Sequence, residues 1–271
     1  MNRPLVVKLG GELLETAEGR ARIAAALSAI TRPLVVVHGG GRAVDAACDR
    51  QGIRPQKVDG LRVTDDATLD VVVSVLGGLA NTQLVAALVA VGVPAVGLSG
   101  VDAGFGRADR VAPQPTRSGS LVDLGHVGDP VQPDTTLVRV LLENGFVPVV
   151  ASLGVSEHAQ VLNVNADVMA CRLAAGLPLA DLVIVGATAG VLDLAGRTID
   201  SLDLDGIDAI LADGTATAGM VAKLRACRAA LTGGVSGIRL VDGRTIGATQ
   251  ALDGAPGTRL GAEPHPSARF A

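Results

Sequence analysis

Two glycine-rich stretches hold the residues of this sequence that are best suited to binding an anion. Lys8 precedes a glycine pair at the end of an apolar run, and His38 precedes three consecutive glycines. Glycines let backbone N–H groups approach an anion closely, and a lysine or the start of a helix adds positive charge. The pattern favours an anion site that is neither a P-loop nor a dinucleotide fingerprint. A tight turn with a solvent-facing lysine is the plain alternative.

Arg62 and Thr64 lie in another candidate motif, the stretch 60–64. An arginine at this place could clamp a carboxylate through two parallel hydrogen bonds. Thr64 is predicted to cap the helix that follows, because its hydroxyl can accept a hydrogen bond from an unsatisfied backbone N–H group. An arginine on the surface is the plain alternative for this motif taken alone.

Two amides and two charged groups complete the candidate chemistry. Asn163, Asn165 and Asp167 alternate along the chain, so their side chains point the same way if the segment is extended. A carboxylate at the third position could orient two lysines, although a simple capping box would use the same residues. Lys223 lies one turn into a predicted helix, after a loop rich in Gly, Thr and Ala that could lie along a nucleotide. A solvated lysine is the alternative there.

Apolar runs that alternate with amphipathic segments predict the elements that position these residues. Six runs are almost wholly apolar, which is typical of parallel strands buried on both faces: 4–9, 33–38, 93–98, 146–152, 181–185 and 237–241. Six segments have helical periodicity: 21–30, 43–50, 67–91, 135–144, 166–175 and 220–232. The alternation predicts an α/β fold, a three-layer αβα sandwich with a mostly parallel central sheet. Residues 99–133 are expected to form small hairpins at its edge.

The composition limits the classes of function. The 271 residues carry a formal net charge of −4, no Trp or Tyr and three Phe, which argues against nucleic-acid binding. Three scattered cysteines fit neither a disulfide framework nor a zinc site. No signal peptide or membrane span is expected, so the sequence predicts a soluble cytoplasmic enzyme. Of 23 basic residues only Lys8, Lys57 and Lys223 are lysine, which suggests that a compact ammonium is needed there.

Taken together, these motifs resemble the amino acid kinase family, and within it the enzymes that phosphorylate N-acetyl-L-glutamate. The resemblance covers nearly all of residues 4–260 and rests on seven stretches. They are KLGG (8–11), HGGG (38–41), GLRVT (60–64), GHVG (125–128), LLENGFVPVV (141–150), NVNAD (163–167) and GMVAK (219–223). HGGG, GLRVT and NVNAD in this order are the most specific of them.

The resemblance implies a role for each motif. Lys8 and Lys223 flank the transferring phosphoryl group, and Asp167 holds both lysines. The implied acceptor site is formed by Gly11, Gly40, Gly41, Arg62, Asn163 and Asn165. The implied ATP site is formed by Ala187, Thr188, Ala189, Gly190, Val191, Leu192, Thr215, Ala216 and Thr217. Mg²⁺ is expected to arrive on the ATP phosphates, without a metal site in the protein.

The implied reaction transfers a phosphoryl group from ATP to the side-chain carboxylate of N-acetyl-L-glutamate, in arginine biosynthesis. A carboxylate is already ionised near neutral pH, so this chemistry needs charge stabilisation and no general base. The resemblance also implies a lobe for acceptor binding and dimerisation at 1–180, an ATP lobe at 181–260 and a loose tail at 261–271. A homodimer without feedback by arginine is expected, because the extra N-terminal helix of inhibited members is not seen before the first strand.

Two other functions are compatible with the sequence. A sister kinase could act on glutamate or aminoadipate attached to an acidic carrier protein, with Arg107, Arg110 and Arg117 as a basic rim. A non-catalytic amino-acid sensor could explain the departures from the family pattern on the ATP side, at Gly186, Ala187 and Ala218. A sensor, however, would have no need of the lysine–aspartate–lysine set.

Overall fold

Parallel strands with almost wholly apolar sequences form the centre of the protein. The computed structural model describes residues 3–58, 61–115, 119–131, 133–214, 216–245 and 255–261. The strands are β1 (Leu5–Leu9), β2 (Leu34–His38), β3 (Gln56–Val58), β4 (Leu61–Val63), β5 (Ala95–Ser99), β6 (Ala108–Arg110), β7 (Gln114–Pro115), β8 (Leu121–Val122), β9 (Val127–Pro130), β10 (Val147–Ala151), β11 (Leu153–Val155), β12 (Val161–Val164), β13 (Asp181–Gly186), β14 (Ser201–Leu202), β15 (Ile238–Asp242) and β16 (Gly257–Leu260). The large sheet has the order β14-β16-β15-β13-β1-β2-β10-β5, and it is parallel from β15 to β5.

Helices cover both faces of this sheet, which confirms the predicted three-layer α/β architecture. They are α1 (Ala17–Ser28), α2 (Gly41–Arg50), α3 (Asp66–Val72), α4 (Asn81–Ala90), α5 (Thr136–Glu143), α6 (Ala166–Gly176), α7 (Leu204–Asp213) and α8 (Ala218–Thr232). One face packs against α5 to α8 and the other against α1 and α4. In β1, Val6 enters the first core and Val7 the second. Because side chains alternate along a strand, Lys8 lies on the same face as Val6, towards α6.

The predicted boundary near residue 180 falls between two neighbouring strands of one sheet. The strands before it (β1, β2, β10 and β5) form one half of the sheet, and those after it (β13 to β16) form the other. β1 and β13 pair from Leu5–Asp181 to Leu9–Val185, so hydrogen bonds join the two halves directly. The assignment of acceptor and ATP to separate lobes stays a prediction. Residues 262–271 of the predicted tail lie outside the described residues.

The strands within 99–133 belong to small sheets that are separate from the central one. β6 and β9 join the hairpin β11–β12 in a four-stranded sheet, while β7 pairs only with β8. The β3–β4 hairpin is a further separate pair. The antiparallel hairpins expected for this stretch are therefore present, but they stand apart from the last strand of the central sheet, β5. Gln114 of β7 and Gly128 of β9 line the same cavity as Lys8 of β1, so these small sheets lie over the carboxyl-terminal edge of the central sheet.

Residues 66–90 form one continuous helical segment, which agrees with the helix predicted at 67–91. α3 passes into a π-helical stretch at Val73–Ala80, and α4 follows directly. By length and composition alone the segment could cross a membrane, with a mean hydropathy of 1.8 over a window that is 39% buried in the protein. Leu84 and Leu88 are fully buried in the core beneath the sheet. One face of the segment therefore belongs to the interior of the protein.

The N-cap of α3 is Asp65, so the prediction of Thr64 was wrong. The Asp65 carboxylate accepts a hydrogen bond from the backbone N–H of Thr68 at 2.8 Å. The Thr64 hydroxyl is engaged elsewhere, because it donates to the carbonyl of Arg62 and accepts from the side-chain amide of Asn163. Thr64 thus links two of the sequence motifs instead of capping the helix.

Candidate active site

The candidate site lies at the carboxyl ends of four neighbouring strands. β13, β1, β2 and β10 are adjacent in the sheet, and the residues that follow them include both glycine-rich turns. In a parallel sheet this edge is where ligands bind, because helices that follow the strands begin there with their positive ends. α2 begins at Gly41, the last residue of HGGG, and α6 begins at Ala166, within NVNAD.

Asp167 lies between the two lysines of the motifs. Its Oδ1 atom is 2.8 Å from Nζ of Lys8, on β1, and its Oδ2 atom is 2.8 Å from Nζ of Lys223, on α8. The three side chains are at most 16% exposed. One carboxylate therefore fixes two ammonium groups side by side, and the set keeps one net positive charge.

The electrostatics of Asp167 suit a holding role. Burial by itself would raise the pKa of Asp167, but the charges and hydrogen bonds of Lys8 and Lys223 outweigh it and hold the pKa well below its usual range. The group therefore stays ionised near neutral pH, which makes it a poor proton donor or general base. The arrangement can stabilise anionic oxygens without moving a proton.

The two glycine-rich turns touch each other beside Lys8. A Cβ atom added at Gly11 would lie 2.7 Å from the Cα atom of Gly40, so the two backbones can approach this closely only because residue 11 is a glycine. The preceding backbone N–H, of Gly10, donates to the carbonyl of Val185 at 2.8 Å. Backbone, and not side chain, therefore forms this part of the site, as close approach to an anion requires.

Asp45, on α2, holds a second pair of cations. Its Oδ1 atom is 2.5 Å from Nη1 of Arg62, and its Oδ2 atom is 2.7 Å from Nζ of Lys57. Nη2 of Arg62 also donates to the carbonyl of Gly41 at 2.9 Å. Burial would raise the pKa of Asp45, but the hydrogen bonds and charges of Lys57 and Arg62 outweigh it and lower the pKa. Arg62 is thereby fixed next to the second glycine turn.

Asn163 connects three motifs that are far apart in the sequence. Its Nδ2 atom donates to the hydroxyl of Thr64 at 3.1 Å, and its backbone N–H donates to the carbonyl of His126 at 2.8 Å. The backbone N–H of His126 donates in turn to the carbonyl of Thr64 at 2.7 Å. The GLRVT, GHVG and NVNAD stretches therefore meet at one place.

Asn165 caps α6. Its Oδ1 atom accepts hydrogen bonds from the backbone N–H groups of Asp167 and Val168, at 2.8 and 3.3 Å. This is the capping alternative of the sequence analysis, and it fixes the first turn of the helix that carries Asp167. The predicted role of Asn165 in substrate binding stays a prediction.

His38 is a neutral, buried hydrogen-bonding residue. The side-chain amide of Asn81 donates to the carbonyl of Val149, so its nitrogen is the donor and Nε2 of His38 accepts from it at 3.0 Å. Burial lowers the pKa of His38 to about 4, against a smaller opposite effect of the Gly39 carbonyl. The ring therefore stays uncharged near neutral pH and joins β2 to the adjacent helix.

A cavity of about 560 Å³ joins these groups, and its volume is in the range of small-molecule sites. Eight of the residues predicted from the motifs line it: Lys8, Gly11, Gly40, Gly41, Arg62, Asn163, Asn165 and Asp167. Their individual roles stay predictions. Lys57, Gln114 and Ser152 also line the cavity, although the motif analysis gave them no role. For Lys57 a signal was present, since it is one of only three lysines.

The predicted ATP residues lie outside this lining. The segment 187–192 continues from β13, the strand next to β1, so it starts at the same edge of the sheet as Lys8. Thr217 is the N-cap residue of α8, which carries Lys223, and Ala216 precedes it. Thr215 lies outside the described residues. The structure thus brings together the residues predicted for the acceptor, and the described residues predicted for the nucleotide follow β13 or begin α8, the helix of Lys223.

The site can bind a ligand with more than one anionic group. Each of the two aspartate-centred clusters keeps one net positive charge, and glycine backbone lies between them. Across the described ranges, no group of three or more His, Cys, Asp and Glu could hold a metal ion. The chemistry available is electrostatic: orientation of anions and stabilisation of charge that develops on oxygen, as phosphoryl transfer requires.

Comparison with known proteins agrees with this chemistry. The sequence profile described as "Amino acid kinase family" matches residues 3–242. The chain is 37% identical to the acetylglutamate kinase of Stutzerimonas stutzeri (strain A1501) over 252 residues, which cover 90% of this chain and 84% of that protein. It is 39% identical to the acetylglutamate kinase of Symbiobacterium thermophilum over 248 residues, which cover 89% and 85%.

A solved structure shows the same architecture. A protein of Streptococcus mutans UA159 is 25% identical to this chain, and its crystal structure superimposes with a TM-score of 0.78. The superposition covers 97% of this chain and 100% of that one. The similarity therefore extends over the whole domain and is not limited to the motifs.

Proposed function

The chain belongs to the amino acid kinase family, and from this membership we propose that it phosphorylates N-acetyl-L-glutamate with ATP. The acceptor atom is an oxygen of the side-chain carboxylate, and the product is the acyl phosphate N-acetyl-L-glutamyl 5-phosphate. The reaction is a step of arginine biosynthesis. The identity of 37% and 39% to two acetylglutamate kinases supports this acceptor.

The contact of Asp167 with both Lys8 and Lys223 is the observation that carries the proposal. In the reaction a carboxylate oxygen attacks the terminal phosphorus of ATP, the bond to the bridging oxygen breaks, and ADP leaves. Negative charge on the equatorial oxygens is stabilised by the two ammonium groups, which Asp167 has already oriented. No proton has to be removed from the acceptor, because a carboxylate is ionised near neutral pH.

The phosphoryl donor is ATP, which in this proposal lies along 187–192 and 215–217, beside Lys223. Mg²⁺ arrives on the phosphates and supplies neutralisation of their charge. We place the enzyme in the cytoplasm. The three cysteines, Cys48, Cys171 and Cys227, are buried and free, which fits a reducing compartment.

A carrier-protein acceptor would need a basic rim, and the charges near the cavity do not favour one. Of the arginines predicted for that rim, Arg107 is exposed, and Arg110 is ion-paired to Asp123 at 2.9 Å. Arg117 lies outside the described residues. Asp109 on β6 and Asp129 on β9 are opposite each other in the antiparallel ladder, and both add negative charge to the same small sheet. These contacts support a small-molecule acceptor.

A hydroxamate assay, which traps acyl phosphates, tests the proposed function. With Mg-ATP we expect signal with N-acetyl-L-glutamate and at least about tenfold less with glutamate or N-acetyl-aminoadipate, because one misplaced group costs this much in a fitted site. Equal signal with all three acceptors would contradict the choice of acceptor. No signal with any of them would favour the carrier-bound substrate or the sensor, which calorimetry with Mg-ATP would then separate.

We further propose a homodimer that covers the outer face of the segment 66–90. This face exposes Val73, Leu79 and Val89, with exposed fractions of 37%, 56% and 55%. The stretch 71–90 contains no charged residue, and its last part, α4, packs against β5, the last strand of the central sheet. A second copy of the chain buries such a face without any charge to desolvate.

The substitution Leu79→Asp tests the dimer. A carboxylate at the centre of an apolar interface has no partner, so dissociation is favoured over burial of its charge. In light-scattering chromatography we expect the mass to fall from twice the chain mass of 27.1 kDa to the chain mass itself. Leu194→Asp is the matched control, because Leu194 is 88% exposed and lies outside this segment. An unchanged mass for Leu79→Asp would refute this interface.

A further inference from the structure

We infer that Lys57 is a specificity-determining residue that binds the α-carboxylate of the acceptor together with Arg62. The motifs imply Arg62 alone for a substrate carboxylate, so Lys57 is an addition to the site. The inference rests on the proposed function, because the α-carboxylate in question belongs to the proposed acceptor. The experiment below separates the two.

The geometry brings Lys57 and Arg62 to the same place. They are cross-strand partners in the β3–β4 hairpin, and each contacts a different oxygen of Asp45. Both side chains line the 560 Å³ cavity. Asp45 is therefore a positioning residue, which holds a guanidinium and an ammonium beside each other as Asp167 holds Lys8 and Lys223.

The cluster of Arg62, Lys57 and Asp45 has enough positive charge and enough N–H donors to bind one more anion. Arg62, Lys57 and Asp45 together keep one net positive charge, which one carboxylate would balance. Lys57 has three N–H donors, and Arg62 has five. Their contacts in the structure, with Asp45 and with the carbonyl of Gly41, use only part of that set. A carboxylate in the cavity can therefore accept hydrogen bonds from both cations without displacing Asp45.

The use of lysine in the chain points to the same conclusion. The chain has arginine at every basic position except three. Two of the three lysines, Lys8 and Lys223, meet at Asp167, and the third lines the same cavity. A compact ammonium can reach a carboxylate that is bound by Arg62, where a second planar guanidinium would compete for the same face of that carboxylate.

Discrimination between an acid and its amide tests this subsite. The two acceptors are N-acetyl-L-glutamate and its α-carboxamide, which keeps the side-chain carboxylate but has no charge at the α-position. For Lys57→Gln we expect kcat/KM of the acid to fall about tenfold, because a charge-assisted hydrogen bond is lost, and that of the amide to change little. The preference for the acid should therefore shrink about tenfold, and Lys57→Arg should restore part of it.

A role of Lys57 in the hairpin alone would give a different result. In that case Lys57→Gln would lower kcat/KM of both acceptors equally and leave the preference unchanged, which would overturn the inference. Arg42→Gln is the matched control, since Arg42 is an exposed cation on α2 that pairs with Glu15 outside the cavity lining. It should leave the preference as it is in the unsubstituted protein.

Binding measured in the absence of turnover tests the Lys57 subsite independently of the proposed phosphoryl transfer. Calorimetric titration of the unsubstituted protein and Lys57→Gln with the same two compounds gives the acid preference in the absence of ATP. Preferential binding of the acid that depends on Lys57, without hydroxamate formation, would support the subsite and refute the reaction. If the protein turns over the acid but its preference for the acid does not depend on Lys57, the subsite is refuted and the reaction is not. Equal, weak binding of the acid and the amide would also refute the subsite.

Discussion

Replacing Asp167 by asparagine should lower kcat by roughly 100- to 1,000-fold, because preorganised charge at the reacting oxygens is lost. An amide cannot neutralise two ammonium groups, so Lys8 and Lys223 repel each other and move apart. Breaking a buried ion pair on one side also destabilises the fold, here by about 3 kcal/mol. The measurements are steady-state kinetics and urea unfolding followed by far-UV circular dichroism, since the chain has no Trp or Tyr.

The pH dependence of this variant follows from the lowered pKa of Asp167. A carboxyl group whose pKa is lower in the folded state contributes stability that is fully present above its unfolded pKa, about 3.9. That contribution is lost as the pH falls below this value towards the folded pKa. The difference in unfolding free energy between the unsubstituted protein and Asp167→Asn should therefore be constant from about pH 5 to 8 and shrink below about pH 4.

Asp181→Asn is the matched control for Asp167→Asn. Asp181 also contacts two cations, Arg3 and Arg32, but at the amino end of β13, the opposite edge of the sheet. Its loss should leave kcat within about twofold of the unsubstituted enzyme, because surface ion pairs contribute little and none of these groups lines the cavity. Equal losses of kcat in the two variants would contradict the role of Asp167.

Periodicity was enough to predict the layers of the fold. The six strongly apolar runs all became parallel strands of the central sheet, because a strand buried on both faces needs an uninterrupted apolar sequence. The motifs also identified eight of the residues that line the cavity, since glycine turns at the carboxyl ends of adjacent strands must meet at one edge. Lys8 and Asp167 are 159 positions apart in the sequence, so the residues alone suggested a carboxylate that orients two lysines, and the resemblance implied which lysines they are.

There are physical reasons why the sequence did not predict some of the elements and residues that the structure contains. β14 is only two residues long, and α7 has a single fully buried residue, Ile207, so neither gives a clear periodic signal. Asp65 and not Thr64 caps α3 because the Thr64 hydroxyl accepts a hydrogen bond from the side-chain amide of Asn163. This contact joins distant segments, so the sequence around residue 64 does not show it. Asp45 was missed because it is an ordinary helix residue until the β3–β4 hairpin folds over it.

Lys8 tests whether the site needs an ammonium or only a positive charge. Its side chain is 11% exposed, between the sheet and Asp167, and the adjoining turn is closed by the contact of Gly11 with Gly40. A guanidinium is wider, planar and directs its hydrogen bonds in a fixed fork. In Lys8→Arg it would still pair with Asp167, but its charge would lie away from the transferring oxygens.

We expect Lys8→Arg to lose kcat by roughly 100-fold or more, because a displaced charge stabilises the reacting oxygens far less well. The far-UV spectrum and the binding of Mg-ATP should be retained, since the charge of the site is conserved and the nucleotide residues are untouched. Lys8→Met, which removes the charge as well, should be at least as impaired. If Lys8→Arg kept kcat within about threefold, net charge alone would suffice, and the inference that this chain retains lysine for its shape would fail at Lys8.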